Sequence, residues 1–199
     1  MQQLYDQVVD LDIGLIVPAA GIDEMGKFLE KDYASLDRML TLNINVPTEL
    51  AHTFGRKLAM RKRSGMILIS SLFGYQGIPN FAAYAATKAY VLVLGEALSV
   101  EMRKQGIDVL VLSPGLTDTP FSQNMEIDFS RLPMIPQKPR AVARTGLRAL
   151  GGPATVVSGL LNKVFAWENR LLPRHFPVNL FGFLINGAIK SYHRKLGTK

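Results

Sequence analysis

At 199 residues, 48% of them hydrophobic, the chain is long enough to bury one sizeable core and reads as a single domain over 1–199. It contains no cysteine, which excludes disulfides, thiolate catalysis and cysteine-held metals, and its three histidines (His52, His175 and His193) are too scattered to suggest a metal site. The net charge of +7 is uneven: residues 1–137 carry 12 Lys and Arg against 15 Asp and Glu, whereas residues 138–199 carry 11 against 1.

The first residues are polar and acidic rather than basic and apolar, so no signal peptide is expected and a cytoplasmic location fits. Ile13–Val17 reads as a strand, followed through a loop by a helix around Tyr33–Leu40. A longer helix is predicted from Ile44 to Met60, with Pro47 in its first turn, where a missing amide hydrogen is tolerated. Beyond the basic turn Arg61-Lys62-Arg63-Ser64-Gly65 come a strand over Met66–Ser70, a loop over Gly74–Pro79 and a helix from Phe81 to Lys104. Gln105-Gly106 terminates that helix. Strand Ile107–Leu112, an irregular segment over Pro114–Pro139, a helix around Arg140–Leu150 and a short strand Thr155–Val157 complete the pass. Strands alternating with helices predict an α/β fold, a parallel sheet covered on both faces. There are no internal repeats or low-complexity linkers.

Within this frame Tyr84-Ala85-Ala86-Thr87-Lys88 places a phenol and an ammonium four residues apart on one helix face. A phenol titrates near ~10 in water, and an adjacent cation favours the phenolate, so Tyr84 can serve as a proton donor or acceptor. The spacing alone is common. The surrounding text is more specific: Ile67-Leu68-Ile69-Ser70-Ser71 is a buried strand ending in hydroxyls, with Ser71 13 residues before Tyr84, and Asn43 lies 28 residues before Ser71. After the helix a second buried strand runs into Ser113-Pro114-Gly115-Leu116-Thr117-Asp118-Thr119. In order and spacing these residues resemble the Asn, Ser, Tyr and Lys tetrad of the short-chain dehydrogenases/reductases, from about Leu11 to Phe121 and more weakly to the end.

The resemblance implies a Rossmann-like sheet whose first three strands are absent from this chain, with a catalytic core over about 11–121, a substrate-lid segment over about 119–137 and a basic C-terminal segment over 138–199. Family members open with a strand, a glycine-rich turn and a helix whose N-terminus receives the cofactor pyrophosphate. No such glycine-rich turn is present here, so these 199 residues are expected to bind a dinucleotide weakly. Met1–Asp10 corresponds to the helix leading into the fourth strand, and Pro18-Ala19-Ala20-Gly21 stands where the family usually carries Asn-Asn-Ala-Gly. The cofactor implied is NAD or NADP, and the residues that choose between them are not in this chain. Ala20, Gly21, Asn43, Tyr84, Lys88, Pro114, Gly115 and Thr119 are the expected cofactor contacts. The implied chemistry is hydride transfer between a nicotinamide and a carbonyl or alcohol carbon. Tyr84 would donate the proton, Ser71 would orient the substrate oxygen, Lys88 would lower the Tyr84 pKa and hold the ribose, and Asn43 would position a water. Phe121, Met125, Phe129, Leu132, Met134 and Ile135 make the lid segment apolar, which fits an apolar small-molecule substrate. The other reading is a catalytically inactive relative acting as an interaction or membrane-surface protein.

The helices Ile44–Met60 and Phe81–Lys104 resemble the pair through which family members form homodimers or larger homo-oligomers, with Val91, Leu94 and Leu98 at helical spacing. The basic C-terminal third suggests an anionic partner. In 174–199, Arg174, Lys190, Arg194 and Lys195 flank the apolar run Val178–Ile189. Twelve residues are too few to span a bilayer, which needs about 20, so the run either lies in a membrane interface, burying Leu180, Phe181, Phe183, Leu184 and Ile185, or packs on the domain or a neighbouring subunit. Nucleic acid is less favoured, because no nucleic-acid-binding motif accompanies the charge.

Overall fold

The computed structural model describes residues 2–197. Four parallel strands, β1 (Leu15–Ile16), β2 (Ser64–Ile69), β3 (Ile107–Ser113) and β4 (Thr155–Val157), lie in that order in one sheet. The helices are α1 (Gln2–Val8), α2 (Tyr33–Leu40), α3 (Val46–Leu58), α4 (Ala82–Glu101), α5 (Pro120–Gln123), α6 (Pro139–Ala149), α7 (Leu160–Leu171) and α8 (His175–Leu196). The parallel α/β architecture expected from the sequence is therefore present. β1 is shorter than the predicted Ile13–Val17, and the segment after β3 is interrupted by α5 and a 3-10 turn at Phe129–Arg131.

Alternation along the central strands divides the core. Met66, Leu68, Ile107 and Val109 point to one face, where Ala51 and Leu58 of α3 and Val91 of α4 cover them. Ile67, Leu110 and Leu112 point to the other, against Val142 of α6. Close packing of α4 on the sheet depends on Gly95, where a Cβ would stand 2.2 Å from Val111 Cγ2. The helix then closes through a 3-10 turn at Met102–Gln105 onto Gly106, whose φ of 75° lies in the left-handed region that glycine adopts freely.

The burial pattern corrects the residues expected to pair subunits. Val91 is a core residue and Leu98 packs partly against the same cluster, so neither offers a free face. The outward side of α4 instead carries Ala86, Tyr90, Val93, Ala97 and Val100, spaced by three and four.

A third cluster sits beyond the C-terminal edge of the sheet. There Phe81, at the N-cap of α4, and Tyr84 of α4 meet Ile127 and Leu132 of the segment after α5 and Phe181, Ile185 and Ala188 of α8. The membrane-facing role expected of Phe181 and Ile185 is thereby overturned: both are core, and the packing alternative holds for the inner face of α8. Asp128 ties the segment after α5 to this helix. Its carboxylate accepts from Ser130 Oγ at 2.6 Å, Ser191 Oγ at 2.7 Å and Lys195 Nζ at 2.8 Å. Those three donors hold the Asp128 carboxyl well below its ordinary range, with the Lys195 hydrogen bond the largest cause.

Candidate active site

β2 ends at Ile69, and the two serines after it leave the sheet with different partners. Ser70 is buried, and its Oγ donates to the Lys88 carbonyl oxygen at 2.7 Å. Ser71 opens the 3-10 turn Leu72–Tyr75, its Oγ accepting from the Phe73 amide at 3.2 Å. This turn lies so close to α4 that a Cβ on Gly74 would stand 2.8 Å from both the Lys88 carbonyl oxygen and Ser70 Oγ. The close approach sets Ser71 and Tyr84 on the wall of the same cavity.

Tyr84 and Lys88 share the inner face of α4, and each is 7% exposed. The Tyr84 ring is enclosed by those of Phe73, Phe81 and Phe121, with centroids at 6.4, 6.3 and 6.1 Å. Lys88 Nζ lies 5.7 Å from the Tyr84 ring centroid and donates to the Ile69 carbonyl oxygen at 3.1 Å. Burial pushes the Tyr84 phenol above its ordinary value, the Ser71 hydrogen bond opposes the rise, and the charge of Asp23 adds to it. Burial also brings the Lys88 ammonium down from 10.5 to about 8. The lowered Tyr84 pKa that the helical spacing predicts is therefore not the net result: desolvation of the phenol outweighs it.

Asn43 lies in the π-helical turn Thr41–Asn45 that precedes α3, and it is buried. Its Oδ1 accepts from the Ile22 amide at 3.0 Å, while Nδ2 donates to the Ile22 carbonyl oxygen at 2.7 Å and to Thr87 Oγ1 at 3.1 Å. The side-chain amide of Asn43 is thus engaged by protein partners, and it pins the loop after β1 against α4. Gly21 lies at that junction, where a Cβ would stand 3.2 Å from Asn43 Oδ1 and 3.5 Å from Lys88 Nζ.

Gly21, Ser71, Tyr84, Lys88, Pro114, Gly115 and Thr119 line one cavity of about 430 Å³ at the C-terminal edge of the sheet. This is the edge at which open α/β sheets bind ligands. Asn43 stands behind the lining, and Ala20 is exposed beside it, with Ala19 facing the cavity in its place. The wall is largely apolar, with Leu72, Phe73, Leu116, Phe121, Met125 and Met134. Ser122 Oγ accepts from the Thr119 amide at 3.4 Å and donates to the Thr117 carbonyl oxygen at 2.7 Å, which fixes the start of α5 at the cavity wall. Behind the Pro114-Gly115 turn is Asn162 of α7, whose Nδ2 would stand 2.3 Å from a Cβ on Gly115. Ser70, Gly74 and Asn162 are the positioning residues that spacing did not reveal. A second serine beside Ser71 was the one local signal for the first, whereas the other two matter only through contacts distant in sequence.

The cavity suits a ribose and an aromatic amide ring. Gly21 and Gly115 expose backbone where a side chain would close the space, and Lys88 presents an ammonium beside the Tyr84 phenol. Comparison with known proteins agrees with this geometry. The family model described as short chain dehydrogenase matches residues 1–128. A 7beta-hydroxysteroid dehydrogenase of Clostridium sardiniense is 31% identical over 174 residues, covering 87% of this chain and 67% of that protein. A solved structure reported for 7beta-hydroxysteroid dehydrogenase stereoselectivity superposes with a TM-score of 0.80 at 24% identity, covering 91% of this chain and 71% of the other. A short chain dehydrogenase of Burkholderia cenocepacia in complex with NADP superposes with a TM-score of 0.75 at 22% identity, covering 87% and 73%. The chain spans about two thirds of the length of the 7beta-hydroxysteroid dehydrogenases it matches.

Proposed function

Because the chain belongs to the short-chain dehydrogenases, a family of oxidoreductases, we propose that it interconverts a secondary alcohol and a ketone on a bulky apolar substrate of the hydroxysteroid class, using NAD or NADP. The observation that carries this reading is the convergence of the Ser71, Tyr84 and Lys88 side chains on one largely apolar cavity. When bound, the nicotinamide supplies or accepts the hydride. The remaining work falls to this chain. In the reducing direction Tyr84 gives its proton to the oxygen of the substrate, and a raised pKa suits a phenol that must stay protonated until charge develops on that oxygen. Ser71 Oγ shares the same oxygen and fixes its orientation. The Lys88 ammonium would hold the ribose hydroxyls, and its charge, 5.7 Å from the Tyr84 ring centroid, would favour the phenolate left behind. Gly21, Pro114, Gly115 and Thr119, which line the same cavity, would supply close backbone and hydroxyl contacts to the cofactor. Leu72, Phe73, Leu116, Phe121 and Met134 exclude water and receive the apolar body of the substrate.

The name of the Clostridium sardiniense relative supports the substrate class, and the Burkholderia cenocepacia complex supports the cofactor. Assembly belongs to the same reading. The stripe Ala86, Tyr90, Val93, Ala97 and Val100 on α4, beside α3 through the Thr48–Tyr90 hydroxyl contact at 3.0 Å, pairs with its own image in a homodimer.

The test is oxidation of NADPH or NADH, at saturating cofactor, in the presence of an apolar polycyclic ketone. Tyr84→Phe should lower kcat by roughly 10²–10⁴-fold while the dinucleotide Kd stays within about twofold, since only the proton donor is removed. Undiminished turnover by the phenylalanine variant would exclude Tyr84 as the acid. No turnover by the parent, with either cofactor and a panel of such ketones, would favour the non-catalytic reading.

A further inference from the structure

The outer side of α7 takes no part in the site or in the α4 stripe, and its chemistry is unusual for a surface. Leu160, Val164, Trp167 and Leu171 fall at i, i+4, i+7 and i+11, so they form one apolar stripe along the helix. Their exposures are 83%, 61%, 65% and 79%. With Lys163 they line a single shallow groove. The inner side of the same helix is anchored: Asn162 and Ala166 are buried, Asn162 packs on Gly115, and Phe165 meets Phe181 edge-on at 5.7 Å between centroids. The helix is therefore docked by one face, and the apolar stripe is what the folded domain presents outward. The surface continues through exposed Leu172 and Arg174 into α8, where Phe176, Leu180 and Phe183 also reach solvent.

Charge selects the occupant. Over 160–174 the charged residues are Lys163, Arg170 and Arg174 against Glu168, the one acidic residue of 138–199, a stretch that carries 11 Lys and Arg in all. A second copy seated on this face about a two-fold axis would oppose Lys163 and Arg174 to a surface of equally basic chemistry. An uncharged apolar partner would bury the stripe but strip water from the same cations without compensation. An anionic phospholipid surface meets both requirements, since acyl chains accept the apolar side chains while headgroup phosphates accept the cations. At 12 residues α7 is too short to cross a bilayer, so it lies in the interface plane.

We propose that the outer face of α7, continued by the turn into α8, docks this protein on anionic phospholipid bilayers. This relocates the membrane-facing surface from the segment 174–199 as a whole, whose inner face is core, to a stripe that begins at Leu160. The inference stands independently of the catalytic reading.

Trp167 is the only tryptophan in the chain and lies within the stripe, so its fluorescence reports the event directly. The full chain is titrated with vesicles of phosphatidylcholine containing phosphatidylglycerol, with pure phosphatidylcholine vesicles as the comparison. With the anionic vesicles, Trp167 emission should shift to the blue and be quenched by brominated acyl chains, and binding should weaken about tenfold at high salt. Leu160→Ser with Leu171→Ser should lower the partition coefficient at least tenfold, and Lys163→Glu by about tenfold, each with an unchanged far-ultraviolet spectrum. Three results would overturn the proposal: no shift with the anionic vesicles, equal binding to pure phosphatidylcholine, or insensitivity to both variants. A blue shift that grows with protein concentration without lipid, and that Leu160→Ser with Leu171→Ser abolishes, would assign the face to a second copy instead.

Discussion

Lys88 keeps an ammonium beneath the surface with one hydrogen bond, to the Ile69 carbonyl oxygen, so its protonation is coupled to folding. Its folded pKa of about 8 lies below the ordinary 10.5. Between these values the unfolded chain binds more protons than the folded one, and stability must rise with pH across that window. Below about 8 both states are protonated and the desolvation penalty is fully felt. Tyr84 acts in the opposite sense, but only above its ordinary value of 10, because its folded pKa is raised and the unfolded phenol releases its proton first. The window from pH 8 to 10 therefore isolates Lys88, and the protein should gain roughly 2 kcal/mol across it in urea unfolding. Lys88→Met should remove that slope and unfold at higher urea than the parent at pH 7. A parent with a flat profile from pH 8 to 10 would place the Lys88 amine in water rather than in the protein.

Two elements show how contacts distant in sequence set what a helix can tolerate. Alanine at Gly95 would gain helix propensity of roughly 1 kcal/mol, but its Cβ would meet Val111 at 2.2 Å and Leu68 Cδ1 at 3.1 Å. Gly95→Ala should therefore destabilise by about 1–2 kcal/mol net. Combined with Val111→Ala it should destabilise by less than the sum of the two single changes, a coupling that thermal unfolding of the four proteins measures. Helix α8 makes the complementary case, because Ile185 is 1% exposed and Phe183 is 77% exposed two residues earlier on the same helix. Ile185→Ala should lose about 2–5 kcal/mol, and Phe183→Ser should stay within about 0.5 kcal/mol of the parent in denaturant midpoint. Equal effects would mean that α8 is not docked by the Phe181, Ile185 and Ala188 face.

At the scale of the whole molecule, the α4 stripe proposed to pair subunits and the α7 stripe proposed to meet lipid lie on different helices, and a charge placed on one should leave the other unaffected. Val93→Glu should convert the homodimer to a monomer in multi-angle light scattering, with an unchanged far-ultraviolet spectrum and undiminished vesicle binding through α7. A dimer that survives Val93→Glu would place the subunit contact elsewhere. The sequence by itself determined the alternation of strands and helices, with α2 and β4 at their predicted bounds, because period and capping act within a few residues. The order and spacing of Asn43, Ser71, Tyr84 and Lys88, through their resemblance to the short-chain dehydrogenase tetrad, also point to the C-terminal edge of the sheet, where Ser71, Tyr84 and Lys88 line one cavity with Pro114, Gly115 and Thr119. Only the tertiary structure decided that Val91, Phe181 and Ile185 face inward, that the Asn43 amide holds Ile22 and Thr87, and that burial raises rather than lowers the Tyr84 pKa. Each of those outcomes depends on which distant segment covers a side chain. Desolvation and packing are properties of that cover, and a one-dimensional pattern does not carry them.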